Sequence, residues 1–307
     1  MSEATRMNSG QTSAPTVRKP RNESLAEAMR YMRRNPSIVI GIGLIVALLL
    51  FALIGRFFVA WDDAFPLSGP PSRAPSIDYP FGTDGKGRNL LAVMVYGTTL
   101  TLKIGLIAGI LGVLIGTVLA FIAAYHGGWI DGVIRIFVDV LITVPALLVL
   151  VVVASAIRSS MSTTIMAVTI ALLAWREPAR KIRAQVLVLR EAQYVMVARL
   201  NGAGAMRIIF LEMMPNLLPY LSASLVVAVA QAVLASVGLE ALGLGAPSEP
   251  TLGMTIYWLM NESAFLLGLW WWILEPITVL VILFVGLYLI TVGLDELANP
   301  RLRVRNS

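Results

Sequence analysis

Six stretches of this chain are long, apolar and almost free of charge, and no other feature restricts the fold so strongly. Crossing a bilayer as a helix takes about 20 mostly apolar residues. Residues 35–55, bounded by Arg34 and Arg56, carry no charge. The next apolar body covers about 104–124, between Lys103 and Asp131. A third, about 134–157, is interrupted by Asp139 and Pro145. The fourth runs from Ser159 to Trp175, the fifth over about 217–237, and the sixth from about Trp270 to Leu294 with Glu275 and Pro276 near its start. These runs predict an all-α membrane protein with six transmembrane helices. Composition agrees: 57% of residues are hydrophobic and 14% charged, about half the charge of an ordinary soluble domain.

The basic residues set the orientation. Seven Lys or Arg precede the first run, seven more (Arg176, Arg180, Lys181, Arg183, Arg190, Arg199, Arg207) lie between the fourth and fifth, and Arg301, Arg303 and Arg305 follow the last. The alternate loops hold five: Arg56, Arg73, Lys86, Arg88 and Arg158. By the positive-inside rule both termini and the 176–215 loop are expected to be cytoplasmic. The net charge of +6 is thereby read as topology and not as a nucleic-acid footprint. The first run reads as a retained signal anchor behind a partly disordered cytoplasmic tail, 1–34. Residues 61–88, with five prolines, read as an extracytoplasmic loop. Trp270, Trp271 and Trp272 fit an outer-interface aromatic belt or a sugar-stacking surface.

Catalytic chemistry finds little material. There is no cysteine and one histidine, His126, expected at the cytoplasmic end of the second span. None of the four lysines sits in a G-x-x-x-x-G-K-[ST] phosphate loop. An enzyme is not expected, and no cofactor is expected on this chain. Asp139, inside the third span, is read as making a cytoplasmic-end hydrogen bond or pairing with Arg135, four residues earlier on the same helix face, or else as a proton relay. Glu240 and Glu275, with Glu262, are read either as interface carboxylates in water or as an acidic outer mouth favouring cationic or hydroxyl-rich solutes.

The 40-residue loop between the fourth and fifth runs is helical in pattern. Ala179 to Arg190 places Ile182, Val186 and Leu189 among basic residues. Tyr194 to Asn201 forms a second element stopped by Gly202, and Ala203 to Met214 a third stopped by Pro215. An amphipathic helix on lipid headgroups and a docking helix for a soluble partner both fit this pattern.

Tyr194, Val195, Met196, Val197, Ala198, Arg199, Leu200, Asn201, Gly202 and Ala203, with Arg207 and Pro215, resemble the EAA loop of binding-protein-dependent ABC importer permeases. Met196 and Val197 stand where that pattern has Glu and its first Ala; Ala198, Gly202 and Pro215 match. The resemblance extends over about 25–305 and narrows to the dipeptide/oligopeptide/nickel subfamily. Gly82, Thr83, Asp84, Gly87 and Arg88 are similar to its GTDxxGRD signature, with Asn89 in place of the last Asp. Gly127 to Asp131, Arg135, Asp139 and Pro145, then Arg180, Arg183, Arg190 and Glu191, the Leu242–Gly245 turn and the Pro300–Arg303 tail follow in the same order.

The resemblance implies a type I ABC importer permease fold in a prokaryotic inner membrane. The first helix and its loop would cover 35–97, a core of five helices 98–295, and a cytoplasmic tail 296–307. It implies Tyr194 to Ala203, with Arg207 and Pro215, as the coupling set and peptides, oligosaccharides or nickel as solutes. The implied partners are a homologous second permease, two ATP-binding subunits that hold ATP and Mg, an extracytoplasmic solute-binding protein and membrane lipid, with no nucleic acid. The alternative class is a stand-alone proton-coupled transporter or channel in which Asp139 and Glu275 titrate.

Overall fold

In hydrocarbon every backbone N–H and C=O must be satisfied within the chain, which favours helices over open strands. The computed structural model describes residues 35–157 and 162–298. Among these, the only β pairing is an isolated bridge between Thr83 and Asn89. The basic tail 1–34, Arg158 and the 299–307 stretch with its three arginines lie outside the described residues.

Four helices are long and apolar enough to cross a membrane: α1 (Pro36–Gly55), α2 (Leu90–His126), α8 (Ala205–Ala241) and α10 (Trp270–Ala298). Between α2 and α8 lie α3 (Gly128–Thr143), α4 (Ala146–Ala156), α5 (Thr163–Ala174), α6 (Arg176–Arg190) and α7 (Gln193–Leu200). A short α9 (Leu252–Asn261) precedes α10.

The third expected span is broken. α3 and α4 pass the length and apolarity test only together and meet at an angle of 82°. Pro145 has no N–H to offer the carbonyl of Leu141, and Val144 before it is held extended (φ −79°, ψ 126°). The buried guanidinium of Arg176 takes over that duty, donating to Leu141 O and, at 3.4 Å, to Val144 O. The fourth expected span shortens to the 12 residues of α5, about 18 Å of helix against a hydrocarbon core of about 30 Å.

α2 is longer than its apolar body suggested: 37 residues, about 55 Å. Its first turns contain threonines whose hydroxyls are satisfied internally. Thr98 Oγ1 donates to Met94 O at 2.6 Å, and Thr101 Oγ1 accepts from the N–H of Leu252 at 3.1 Å. Pro215 also differs from expectation. It does not end an element: residues Ile208–Met213 widen into a π turn, with Met214 N–H bonded to Ile209 O, and α8 continues unbroken through Ala241. Pro215 sits in the first turn of the regular helix that starts at Met214, a position where its fixed φ suits the helix.

The core forms around α2, which α5, α6 and α8 approach at backbone distance. A Cβ on Gly109 would lie 2.9 Å from Val229 N, and one on Gly116 would lie 2.8 Å from Ala179 N and 2.9 Å from Trp175 O. Small residues permit such crossings where packing, not water exclusion, drives helix association. Gly116→Leu is expected to destabilise the protein by about 1–3 kcal/mol in thermal unfolding of detergent-purified protein. Gly43→Leu, whose Cβ meets nothing within 4 Å, is expected to leave unfolding unchanged.

Candidate functional site

Two constructions use most of the polar residues, one at each end of α2. At its start, the segment from Gly82 to Asn89 folds into a clasp. Gly82 and Gly87 adopt φ of +72° and +76°, a region open to glycine at little cost. Asp84 Oδ1 accepts from the N–H groups of Lys86 and Arg88, each at 2.9 Å, while Asp84 Oδ2 pairs with Arg88 Nε; both side chains are buried. Thr83 Oγ1 accepts from Arg73 N at 2.9 Å and donates to Pro70 O, fastening the proline-rich loop. Asn89 Oδ1 accepts from Leu91 N and caps α2. Asn and Asp are equivalent N-caps, which accounts for Asn89 in place of an aspartate.

The clasp reaches α9 and α10. The Lys86 ammonium sits 3.0 Å from the Trp258 ring centroid and 3.7 Å from Glu262 Oε1, and Trp271 Nε1 donates to Thr83 O at 3.2 Å. Burial, with help from the Asp84 carboxylate, holds the Glu262 pKa above the usual carboxylate range, against the opposing pull of Lys86 and Arg88. Trp271 and Trp272 are therefore buried, and only Trp270 is exposed. Trp271 and Trp272 are a packing wedge against Leu90 and Ala264 and not a surface belt, and Trp270 alone stays at the surface.

The acidic mouth is corrected too. Glu240 is 2% exposed, because Gly245 and Gly253 bring the 243–253 segment back over it: a Cβ on Gly253 would lie 2.2 Å from Glu240 Oε2. Glu262 is partly buried and lies 3.7 Å from the Lys86 ammonium. Glu275 is half-buried, with its Oε2 atom lacking a hydrogen-bond partner among the described residues. No carboxylate of the three stands in open water at a mouth.

At the other end of α2, the 176–215 loop is a braced helical platform. Ile182 and Val186 of α6 and Val195 of α7 are fully buried with Ile208 and Met213 of α8. Two arginines of α6, Arg183 and Arg190, bolt it to the α2–α3 corner, and Arg180 makes a looser contact there. Arg183 holds Asp131 through two parallel bonds of 2.5 Å, Arg190 Nη1 donates to Ala124 O at 2.8 Å, and Arg180 lies 3.7 Å from Asp139. Asp139 thus pairs with Arg180 and not with Arg135: α6 lies across α3 and presents its guanidinium there, a juxtaposition that spacing within α3 does not reveal.

α7 ends in a complete Schellman motif, with Ala203 N–H bonded to Ala198 O and Gly202 N–H to Arg199 O, each at 3.0 Å, and Gly202 at φ +75°. On its outer face Tyr194, Met196, Val197 and Leu200 are exposed, Leu200 to 82%. Burial raises the Tyr194 phenol's pKa, against a lowering contact from Asn216. Ala198 and Ala203 pack inward, while Arg199, Asn201, Gly202, Arg207 and Pro215 face outward. The site therefore combines an exposed apolar helix face with a packed, ion-paired mount.

The described residues are all-helical with several apolar spans, and the family they match is one of transport-system permeases. The profile of the family described as "binding-protein-dependent transport system inner membrane component" matches residues 112–304, and that described as "N-terminal TM domain of oligopeptide transport permease C" matches 24–71. The chain is 28% identical over 290 residues to the dipeptide transport system permease protein DppC of Bacillus subtilis, covering 94% of this chain and 90% of that one. It is 32% identical over 277 residues to a putative peptide transport system permease protein of Brucella suis, covering 90% and 92%. A putative peptide permease protein of Brucella abortus is 31% identical over 277 residues, covering 90% and 91%. The chain belongs to the binding-protein-dependent transport system inner membrane component family, as a multi-pass inner-membrane permease of the DppC/OppC type.

Trp258 has no place in the sequence-derived set, and Glu262 appears there as part of an acidic mouth and not as the partner of Lys86. Asp131 and Arg176 appear there only as a motif position and a topological charge. Asn89→Asp is expected to leave thermal unfolding unchanged and Asn89→Ala to cost about 1 kcal/mol. Asp84→Ala, which strands the buried Arg88 guanidinium, is expected to cost about 3–5 kcal/mol in the same measurement.

Proposed function

We propose that this chain forms half of the translocation pathway of an ATP-driven importer of peptides. It would pair with a homologous permease and receive its driving motion at α7 from two cytoplasmic ATP-binding subunits. An extracytoplasmic binding protein would deliver the solute at the clasp end. In this reading the chain crosses six times, with α3–α4 a broken crossing and α5 a short one. The 176–215 platform and both termini are cytoplasmic, consistent with the positive-inside count. Peptides as solutes are favoured by the names of the relatives.

The observation that carries this reading is the exposed apolar face of α7, held on a rigid mount. Helix-in-groove recognition uses such a face. Val195 ties α7 to α6 and α8, so displacement of α7 moves both as a body, and the α6 arginines carry that displacement to α2 and α3. Rigid-body shifts of this kind convert a distant closure into a change of access. Met196 on this face leaves out the family's glutamate, so docking here relies on apolar contact and on Arg199 and Arg207 beside it.

Uptake and ATP hydrolysis measured on the reconstituted complex test the reading. Leu200→Asp is expected to lower uptake about tenfold or more, each tenfold corresponding to about 1.4 kcal/mol of docking, with unchanged membrane levels. Gly202→Val, forced out of its left-handed conformation at about 1–2 kcal/mol, is expected to uncouple hydrolysis from uptake, and Gly202→Asn to retain coupling. Full uptake in both Leu200→Asp and Gly202→Val overturns the assignment of α7. A peptide retained by the co-purified binding protein supports the solute class, and a sugar or metal ion in its place overturns it.

A further inference from the structure

A cavity of about 240 Å³ opens between α2, α3 and α6, beside the platform and away from the exposed face of α7. Its floor is apolar, from Leu119 and Ala123 of α2 to Val138 of α3, while Arg135, Arg180 and Arg183 stand around it with Asp139 as the single lining carboxylate. Arg183 is committed to Asp131. Arg180 reaches Asp139 only at 3.7 Å, with both side chains about half exposed or more. Arg135 makes no hydrogen bond or ion pair among the described residues and feels Asp131 only at a distance. Two guanidiniums are therefore available to a ligand whose charge the protein does not supply.

The surroundings decide what kind of anion fits. α3 is two-faced: Arg135, Val138 and Asp139 turn to the cavity, while Trp129, Val133, Ile136, Phe137 and Val140 are exposed by 55–78% on the other side. On α2 the exposed Val118 and Ile122 flank the floor residues. A helix with an apolar outer face and arginines on its inner face sits at the boundary between hydrocarbon and headgroups. An anion bound here has alkyl chains within reach of the lipid-facing residues and its charge within reach of the arginines. A planar guanidinium fork suits phosphate oxygens better than a point charge would. Basic pockets between spans are where acidic phospholipid headgroups settle.

The geometry points to a binding site for an anionic phospholipid, whose phosphodiester is held by Arg135 and Arg180 and whose acyl chains run along α2 and α3. The occupant bridges α6 to α3 where the protein's own contact, Arg180 with Asp139, is loosest. A bound lipid would therefore stiffen the mount of α7. The site does not depend on which solute is carried or on α7 docking an ATPase, and its test needs no transport.

Native mass spectrometry of the full-length chain, incubated in detergent with phosphatidylglycerol or phosphatidylcholine, reads the occupancy. Wild-type protein is expected to retain phosphatidylglycerol over phosphatidylcholine. The double variant Arg135→Gln with Arg180→Gln is expected to lose about tenfold or more of that retention, at an unfolding midpoint unchanged in phosphatidylcholine. Asp139→Asn, which frees Arg180, is expected to raise retention, a direction that misfolding cannot mimic. Equal retention of the two lipids, unchanged retention in the double variant, or lower retention in Asp139→Asn overturns the site. Displacement of the lipid by excess inorganic phosphate shows a soluble-anion pocket and overturns the lipid assignment.

Discussion

The near-contact packing of α2 against its neighbours is the constraint on which the other features rest. Gly116 brings the backbone of α6 to within a few ångströms of α2, and only at that distance can the α6 side chains reach the α2–α3 corner. Arg190 finds the last carbonyls of α2, Arg183 finds Asp131 at the start of α3, and Arg176 finds the carbonyl that Pro145 leaves without a donor. Each contact satisfies a backbone or carboxylate group at a helix end, where four carbonyls always lack intrahelical partners. Arginine suits the task because its donors are spread in a fixed fork and its charge cannot be titrated away. A bulkier residue at Gly116 would move α6 outward and loosen all of these contacts together.

The two ends of α2 are built on different principles. The clasp is a local knot in which neighbouring residues satisfy one another: Asp84 is enclosed by the backbone of Lys86 and Arg88 and by the Arg88 side chain, and Asn89 caps the helix that follows. Its reach to α9 comes from Lys86, between the Trp258 ring and Glu262, and its reach to α10 from the bond of Trp271 Nε1 to Thr83 O. The platform is joined by contacts between residues far apart in sequence, with partly exposed side chains. A knot of short-range, buried bonds tolerates little change of shape. A frame of long arginine side chains on helix ends can shift by rotamer changes without unpairing its partners.

What the sequence discloses follows from periodicity and local chemistry. The uncharged runs announce α1, α2, α8 and α10. Gly202 and Gly243 announce turns that prove to be Schellman motifs, the second closed by the bond from Leu244 N–H to Leu239 O. Pro145 marks a break in the third span, yet nothing local says that Arg176, thirty-one positions later, fills the gap. Trp271 and Trp272 read as interfacial because aromatic residues near a span end usually are; their burial depends on where the 82–89 clasp lands. Glu240 and Glu262 read as a bare acidic patch because no Lys or Arg is near in sequence, whereas Lys86 arrives from the far side of α2 and glycines fold a loop over Glu240. Asp139 was paired in spacing with Arg135 and is paired in space with Arg180. The missed or misread residues share one property: their partners lie on another element.

Between α7 and α8 the chain has to reverse and then accommodate Pro215 and Pro219 within one helix. The reversal is made by the Schellman motif, which spends its bonds on the carbonyls of Ala198 and Arg199 and leaves no slack in the turn. Pro215 falls in the first turn of the regular helix after the π segment Ile208–Met213, in which Ile208 and Met213 remain fully packed against α6 and α7. The Schellman turn itself is exposed, but Val195 before it and Ile208 and Met213 after it share one core with Ile182 and Val186 of α6, so α7 and the start of α8 are anchored to the same helix.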